Sequence, residues 1–384
     1  MPTKIVATIN STGRQAASFI RAASAVGWHV KAQIRSQDGL VAEELADLPN
    51  VEFIEGDLAG PERGRLLAGL FANVRIAFIN TTHWGDEVAI GKACADAAKK
   101  AGVVHYIYSS MPDHSTFGNG WRALPMWATK FAIENYVRQI GIPATFVYTG
   151  IYNNNFTSLP YPLFQMELQD DGSFEWQAPF HPEDPLPWLD AEHDVGPALL
   201  QIFKMGPNHW KGQRVTLAFE RLTPLQCCAR FSRGLGRPVR YIHAPIDIKV
   251  TIPSGYREQL DILQEVLGEK RAPYFPSLEY PREGRSIWEG YRGIEEYARE
   301  VFPIEEYANG LRWMEEPPSV GGGDVLSEQG GDGADSEVGG SVQFMGSSRP
   351  ITPSGINTPV RFSGAYAPRS HPEGLNDDFF VGSM

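Results

Sequence analysis

Cysteine is nearly absent from these 384 residues: there are three, Cys94, Cys227 and Cys228, two of them adjacent. So few, so placed, exclude a disulfide framework and zinc-finger spacing, and suit a reducing compartment. No stretch approaches ~20 consecutive apolar residues, which argues against a membrane-spanning helix. The N-terminal MPTKIVATINSTG runs straight into an apolar strand without a leader pattern, so a soluble, intracellular protein is expected. Cations are also scarce, since 34 Lys and Arg face 46 Asp and Glu for a formal net charge of −12. Direct nucleic-acid binding needs clustered cations on phosphate and is not expected. An acidic surface suits a basic partner, but solubility alone explains it as well.

The most telling absence is a tyrosine. In short-chain reductases a Tyr hydroxyl exchanges a proton with the substrate, and a Lys one helical turn later depresses its pKa. None of the ten lysines has Tyr four residues earlier, and at Lys130 that position is Met126. A thioether donates no proton at any pH, so no catalytic residue is assigned.

What is present reads as a globular α/β chain, 42% hydrophobic and 11% aromatic. Short apolar strands are expected at 5–9, 29–34, 51–55, 77–80, 105–109 and 144–147. Helical patterns at 14–26, 41–48, 62–70, 86–101 and 127–139 separate them. That alternation implies a Rossmann-type, doubly wound parallel sheet covered on both faces. Gly27, Gly102 and Gly141 each follow a helix as C-terminal caps.

The dinucleotide-binding domain is therefore placed at 1–150 and a smaller mixed α/β lobe at 151–316, with a helix and strand from about 194–222 packing back on the sheet. The stretch 151–188, rich in Asn, Pro and aromatics, reads as ordered loops and short strands. Asp194 is the expected N-cap of the next helix. Further helices are expected at 223–235, 255–267, 294–301 and 304–313, with a strand at 213–219. Asp190, Glu192, His193 and Asp194 could suggest a metal site, but neighbouring ligands on one loop rarely converge, and capping explains them better. No metal is expected. Residues 317–384, with GGGD, GGDG and GGS runs, cannot bury enough apolar surface and read as a disordered tail. Thr352-Pro353 and Thr358-Pro359 within it are weak candidates for proline-directed phosphorylation.

The first strand leads into Asn10-Ser-Thr-Gly13-Arg-Gln-Ala16, on the spacing of a G-x-x-G-x-x-G phosphate turn with the middle glycine alone retained. Asn is the best non-glycine residue for the tight first turn. Gly13 keeps the clearance for a pyrophosphate, and Ala16 is small enough for helix–sheet packing. The helix that follows would aim its first N–H groups at the phosphates. Strand two ends at Gln33-Ile34-Arg35-Ser36, without the acidic residue that holds a ribose 2′-hydroxyl, so Arg35 should accept NADP while nothing excludes NAD. Asp57 and Leu58 follow strand three, near the expected adenine. Asn80, Thr81 and Thr82 end strand four, and Ser109, Ser110 and Met111 end strand five. Lys130 would still reach the nicotinamide ribose.

The motifs TGRQAAS, FINTT, GDEVAIGK, HYIYSSMPDHS, GIYNNNFTSLPYPLFQMEL, WLDAEHDVGPALLQIF and EEYAREVFPIEE resemble the NmrA-like family over roughly residues 3–314. Within that family the likeness is to the nitrogen metabolite repression regulators of filamentous fungi. The resemblance implies a Rossmann-fold regulator that binds oxidised NAD and NADP, turns over no substrate, and restrains a GATA-type zinc-finger activator in the nucleus and cytoplasm. By position, it implies that Asn10, Thr12, Gly13, Arg14 and Gln15 hold the pyrophosphate, and that Arg35 lies by the adenosine ribose. The best-known member has His there, so Arg35 tilts the expectation towards NADP. Asn80, Thr81, Ser110, Met111, Lys130, Tyr148 and Asn153 would line the nicotinamide half. A pocket without a proton donor could prefer the flat, cationic oxidised ring. A docking face for a basic finger is sought at Glu295, Glu296, Glu300, Glu305 and Glu306. The competing expectation is an NADPH-dependent reductase using Tyr148, Tyr152 or His114 as the donor.

Overall fold

The computed structural model describes residues 4–83, 85–252 and 255–314. The expected tail at 317–384, with Thr352 and Thr358, lies outside them. The first half alternates strand and helix: β1 (Ile5–Thr8), α1 (Arg14–Ala25), β2 (His29–Ile34), α2 (Leu40–Ala46), β3 (Val51–Glu55), α3 (Arg63–Phe71), β4 (Ile76–Ile79), α4 (Glu87–Lys100), β5 (His105–Ser110), α5 (Pro125–Ile140) and β6 (Ala144–Thr149). The middle holds β7 (Ile151–Tyr152), β8 (Met166–Leu168), β9 (Phe174–Ala178), β10 (Leu186–Leu189), α6 (Ala191–Met205), α7 (Pro207–Trp210), β11 (Arg214–Leu217) and β12 (Glu220–Leu222). Then come α8 (Pro224–Leu235), β13 (Val239–His243), α9 (Tyr256–Leu263), α10 (Arg282–Ile287), α11 (Ile294–Glu300) and α12 (Phe302–Ala308). The expected 255–267 helix runs on from α9 as a π-helical turn, Gln264–Glu269.

Seven parallel strands, ordered β11-β6-β5-β4-β1-β2-β3, form the central sheet. Every residue of β5 and β6 is buried, as expected of parallel strands covered on both faces. One face packs Leu70, Cys94 and Val137 of α3, α4 and α5. The other packs Phe19, Leu45 and Leu199 of α1, α2 and α6. Two three-stranded sheets, β12-β10-β7 and β13-β9-β8, build the smaller lobe. Gly27, Gly102 and Gly141 take positive φ (78°, 77° and 73°) just past their helices. Among the described residues, no helix is long and apolar enough to cross a membrane.

Two expectations need correction. Asp190, not Asp194, caps α6: its carboxylate accepts the N–H groups of Glu192 and His193, each at 3.1 Å. Strand β10 delivers Asp190 directly to the helix, so α6 begins one turn earlier. Asp194 then falls inside the first turn, fully buried, accepting from the Arg292 N–H (3.1 Å) and Trp288 Nε1 (3.3 Å). The second correction concerns the acidic face. Glu305 and Glu306 are 3% and 1% exposed and cannot meet a partner. Tyr297 donates to Glu305 (2.5 Å), while Thr157, the Ser158 N–H and Trp313 Nε1 donate to Glu306 (2.9–3.1 Å). Donor satisfaction is what lets a carboxylate sit inside.

His105 opens β5 and carries a pH dependence. Thr145 donates to the Trp210 carbonyl (3.0 Å), so its oxygen accepts from His105 Nε2 at 2.9 Å. The other ring nitrogen is then a bare acceptor, buried with no partner among the described residues. Burial lowers the His105 pKa to about 4. The folded state therefore binds fewer protons than the unfolded one between about pH 6.5 and 4, and stability falls as pH falls through that window. Urea denaturation should show a loss on the order of 2–3 kcal/mol across it, with a flatter profile in His105→Asn.

Candidate dinucleotide site

The phosphate turn is built from the carboxyl end of β1. Asn10 adopts φ 51°, the left-handed conformation that asparagine tolerates, and its carbonyl accepts the Gly13 N–H at 3.0 Å. Gly13 is the extended N-cap of α1 and offers no side chain to the first helical N–H groups. A Cβ at Gly13 would lie 2.9 Å from Asn10 Nδ2, so the open cradle depends on glycine. Ala16 is fully buried in the sheet-facing cluster. Asn10 Nδ2 and Ser11 Oγ are buried without a partner among the described residues. Thr12 is half-buried on the turn.

Sequence reasoning passed over the structural part of Gln33. Its Oε1 accepts the Asn10 N–H (3.1 Å), and its Nε2 donates to the Gly56 carbonyl (2.8 Å). One amide thus laces the ends of β1, β2 and β3, and its burial at the end of a strand was the available signal. Arg14 reaches out of α1 to Glu192 on α6 at 2.5 Å. Gln15 turns inward to Tyr152 (2.5 Å), leaving its backbone N–H at the helix start. Arg35 is exposed just past β2. Asp57 is also exposed, but its carboxylate accepts the Ala59 N–H at 2.8 Å within its own turn, beside buried Leu58.

The ends of β4, β5 and β6 bring the remaining candidates together. Lys130, on α5, donates to the Thr81 carbonyl (2.5 Å), Asn80 Oδ1 (3.4 Å) and Glu87 Oε1 (3.3 Å). Ser110 donates to the Lys130 carbonyl at 3.5 Å, Met111 is buried beside it in sequence, and Thr82 is half-buried. Asn153 is fully buried, with neither amide atom partnered among the described residues. Glu87 was missed: Asp86 and Glu87 open α4, yet Asp86 alone supplies the cap, accepting the Ala89 N–H at 3.0 Å.

Tyr148 and His114, two of the candidate proton donors, are committed elsewhere. Tyr148 donates to Glu134 at 2.9 Å, and burial, then the Glu134 charge, raises its pKa. Glu134 is itself fully buried and held by Arg138 and Arg214. The Tyr152 hydroxyl accepts from Gln15. His114 is buried with Nε2 3.0 Å from the Pro273 carbonyl, and burial lowers its pKa. Met126 lies one helical turn before Lys130, its N–H bound to Gln259 Oε1 at 3.1 Å. Among the described residues, no group of three His, Cys, Asp or Glu could hold a metal ion.

The fit to a dinucleotide rests on features that no internal partner explains. These are the glycine cradle at Gly13 and the orphaned buried polar atoms of Asn10, Ser11 and Asn153. The nitrogen metabolite repression protein nmr of Neurospora crassa is 56% identical over 360 residues, covering 85% of this chain and 74% of its own. The nitrogen metabolite repression protein nmrA of Emericella nidulans is 57% identical over 349 residues, covering 81% of this chain and 98% of its own. Crystal structures of NmrA, a negative transcriptional regulator, in complex with NADP and with NAD, match with a TM-score of 0.79. Their identity is 61%, over 82% of this chain and all of theirs. The NmrA-like family model matches residues 2–298, and the chain belongs to the NmrA-like family.

Proposed function

We propose that this protein is an NAD(P)-binding negative transcriptional regulator of nitrogen metabolite repression, acting without dehydrogenase turnover. It restrains a GATA-type zinc-finger activator by direct contact, in the nucleus and cytoplasm. The observation that carries the reading is the pairing of a serviceable cofactor site with Met126, one helical turn before Lys130. The ties on Tyr148 and His114 weigh against a reductase with a substitute donor. The close relatives named above as regulators, and the NADP- and NAD-bound structures, support the same reading.

In this account Asn10, Thr12, Gly13, Arg14 and the Gln15 N–H hold the pyrophosphate at the start of α1. Arg35 lies by the adenosine ribose, where a cation favours a 2′-phosphate, so NADP is preferred to NAD. Asp57 and Leu58 flank the adenine. Asn80, Thr81, Thr82, Ser110, Met111, Lys130 and Asn153 line the nicotinamide half, with Tyr148 bracing the floor through Glu134. A bound dinucleotide supplies a ring that can exchange hydride, and Met126 has no proton to exchange alongside it.

The partner contact is electrostatic in origin: the chain carries a net charge of −12, and a nucleic-acid-binding finger is basic. Glu296 and Glu300 remain exposed on α11, although Glu300 lies 3.7 Å from Arg299, and Glu295 pairs with Arg233 at 2.8 Å. A pull-down of a GATA zinc finger by the full chain, with and without NADP, tests the partnership. Retention that weakens with salt is expected, and no retention under either condition would overturn it.

A further inference from the structure

Glu87 is 6% exposed at the start of α4, where Asp86 already supplies the cap. Its Oε1 takes a hydrogen bond from Thr81 Oγ1 (2.7 Å) and meets Lys130 Nζ at 3.3 Å. Thr81 Oγ1 lies 2.9 Å from the Tyr108 hydroxyl, which burial, then the Glu87 charge, keeps protonated. The ionised groups in this knot are thus one cation and one anion, with side chains 13% and 5% exposed. The lysine of the nicotinamide half therefore does not present an isolated positive charge. A charge sheltered from water acts over a longer reach than an exposed one, so this cancellation affects whatever occupies the site.

We propose that Glu87 is a specificity-determining residue for the redox state of the bound dinucleotide, cancelling the Lys130 charge so that the cationic, oxidised ring is not repelled. The proposal rests on the dinucleotide-binding reading and deepens it. The pyrophosphate and ribose are common to both redox forms, so effects on them cancel in the ratio of the two affinities. What remains in that ratio is the response of the site to one positive charge on the ring. An uncompensated Lys130 would repel that charge, and an uncompensated Glu87 would attract it.

Calorimetry on the full chain with NADP and NADPH tests this in wild type, Glu87→Gln, Lys130→Met and the double variant. The measured quantity is the dissociation constant for NADPH divided by that for NADP. Relative to wild type it should fall by about fivefold or more in Glu87→Gln and rise in Lys130→Met. In the double variant, where neither charge remains, it should return to within about twofold of wild type. Absolute affinities drop in the Lys130 variants because a ribose contact is lost, and the ratio is insensitive to that loss. If Glu87→Gln does not fold, Lys130→Met and the double variant still carry the comparison. A ratio constant to within about twofold across the folded variants overturns the proposal. In that case binding itself stands. No binding of either form by the wild type overturns both the proposal and the reading beneath it.

Discussion

Gly13→Val should cost about a hundredfold in NADP affinity, close to 3 kcal/mol, and destabilise the cofactor-free fold by about 1–2 kcal/mol. Gly13 sits at φ −71°, ψ 151°, an extended conformation that valine accepts, so the backbone is not strained. The crowding costs the fold and the ligand alike. A Cβ here presses on the Asn10 amide, 2.9 Å away, and on the Asn10 carbonyl, 3.2 Å away. Asn10 has little freedom to retreat, because its left-handed φ and the Gln33 clamp fix it. The two γ-methyls would then fill the space above the first N–H groups of α1, where an anion would bind. Gly13→Ala should fall between wild type and valine. Calorimetry with NADP, paired with a thermal melt of the cofactor-free protein, separates lost binding from lost folding. Affinity within about threefold of wild type would mean that the phosphates do not sit on this turn.

The second large effect is on stability and lies on the opposite helix of the same corner. Gly196→Leu should destabilise the protein by about 4 kcal/mol, at the far end of the range for overpacking. α1 and α6 cross so closely that the Gly196 N–H donates to Ser18 Oγ at 2.9 Å, and a Cβ at 196 would run into the Ser18 carbonyl. Nothing flexible faces that point, because the obstacle is backbone. Separating the helices would open the cluster holding Phe19, Leu199 and Phe203. It would also disturb the turn that α1 carries. Urea denaturation measures the loss, and Ser18→Ala, which removes the hydrogen bond alone, should cost about 1 kcal/mol.

The sheet was legible because its strands are short apolar runs between helical periods. Strands β2 and β3 lie on their expected residues, and Asn10 adopts the turn conformation anticipated for it. What escaped the sequence were decisions made by tertiary partners. Asp190 and Asp194 are equally good caps on paper, and only the arrival of β10 chooses between them. Glu305 and Glu306 read as solvated because a charged residue usually is. Their burial depends on Tyr297, Thr157, Ser158 and Trp313, which no local period brings near. Glu87 hid behind Asp86, and Gln33 behind the expectation of a ribose contact at its strand end. Strands β7, β8 and β10 are two to four residues long, too short for alternation to stand out among prolines and aromatics.

We propose that this chain keeps a cofactor site while Met126 removes proton transfer. The most direct test is a multiple-turnover assay of the full chain with NADPH against panels of quinones and enones, on a preparation shown by calorimetry to bind NADP. No cofactor oxidation above the protein-free rate is expected. Sustained oxidation proportional to protein concentration would contradict it.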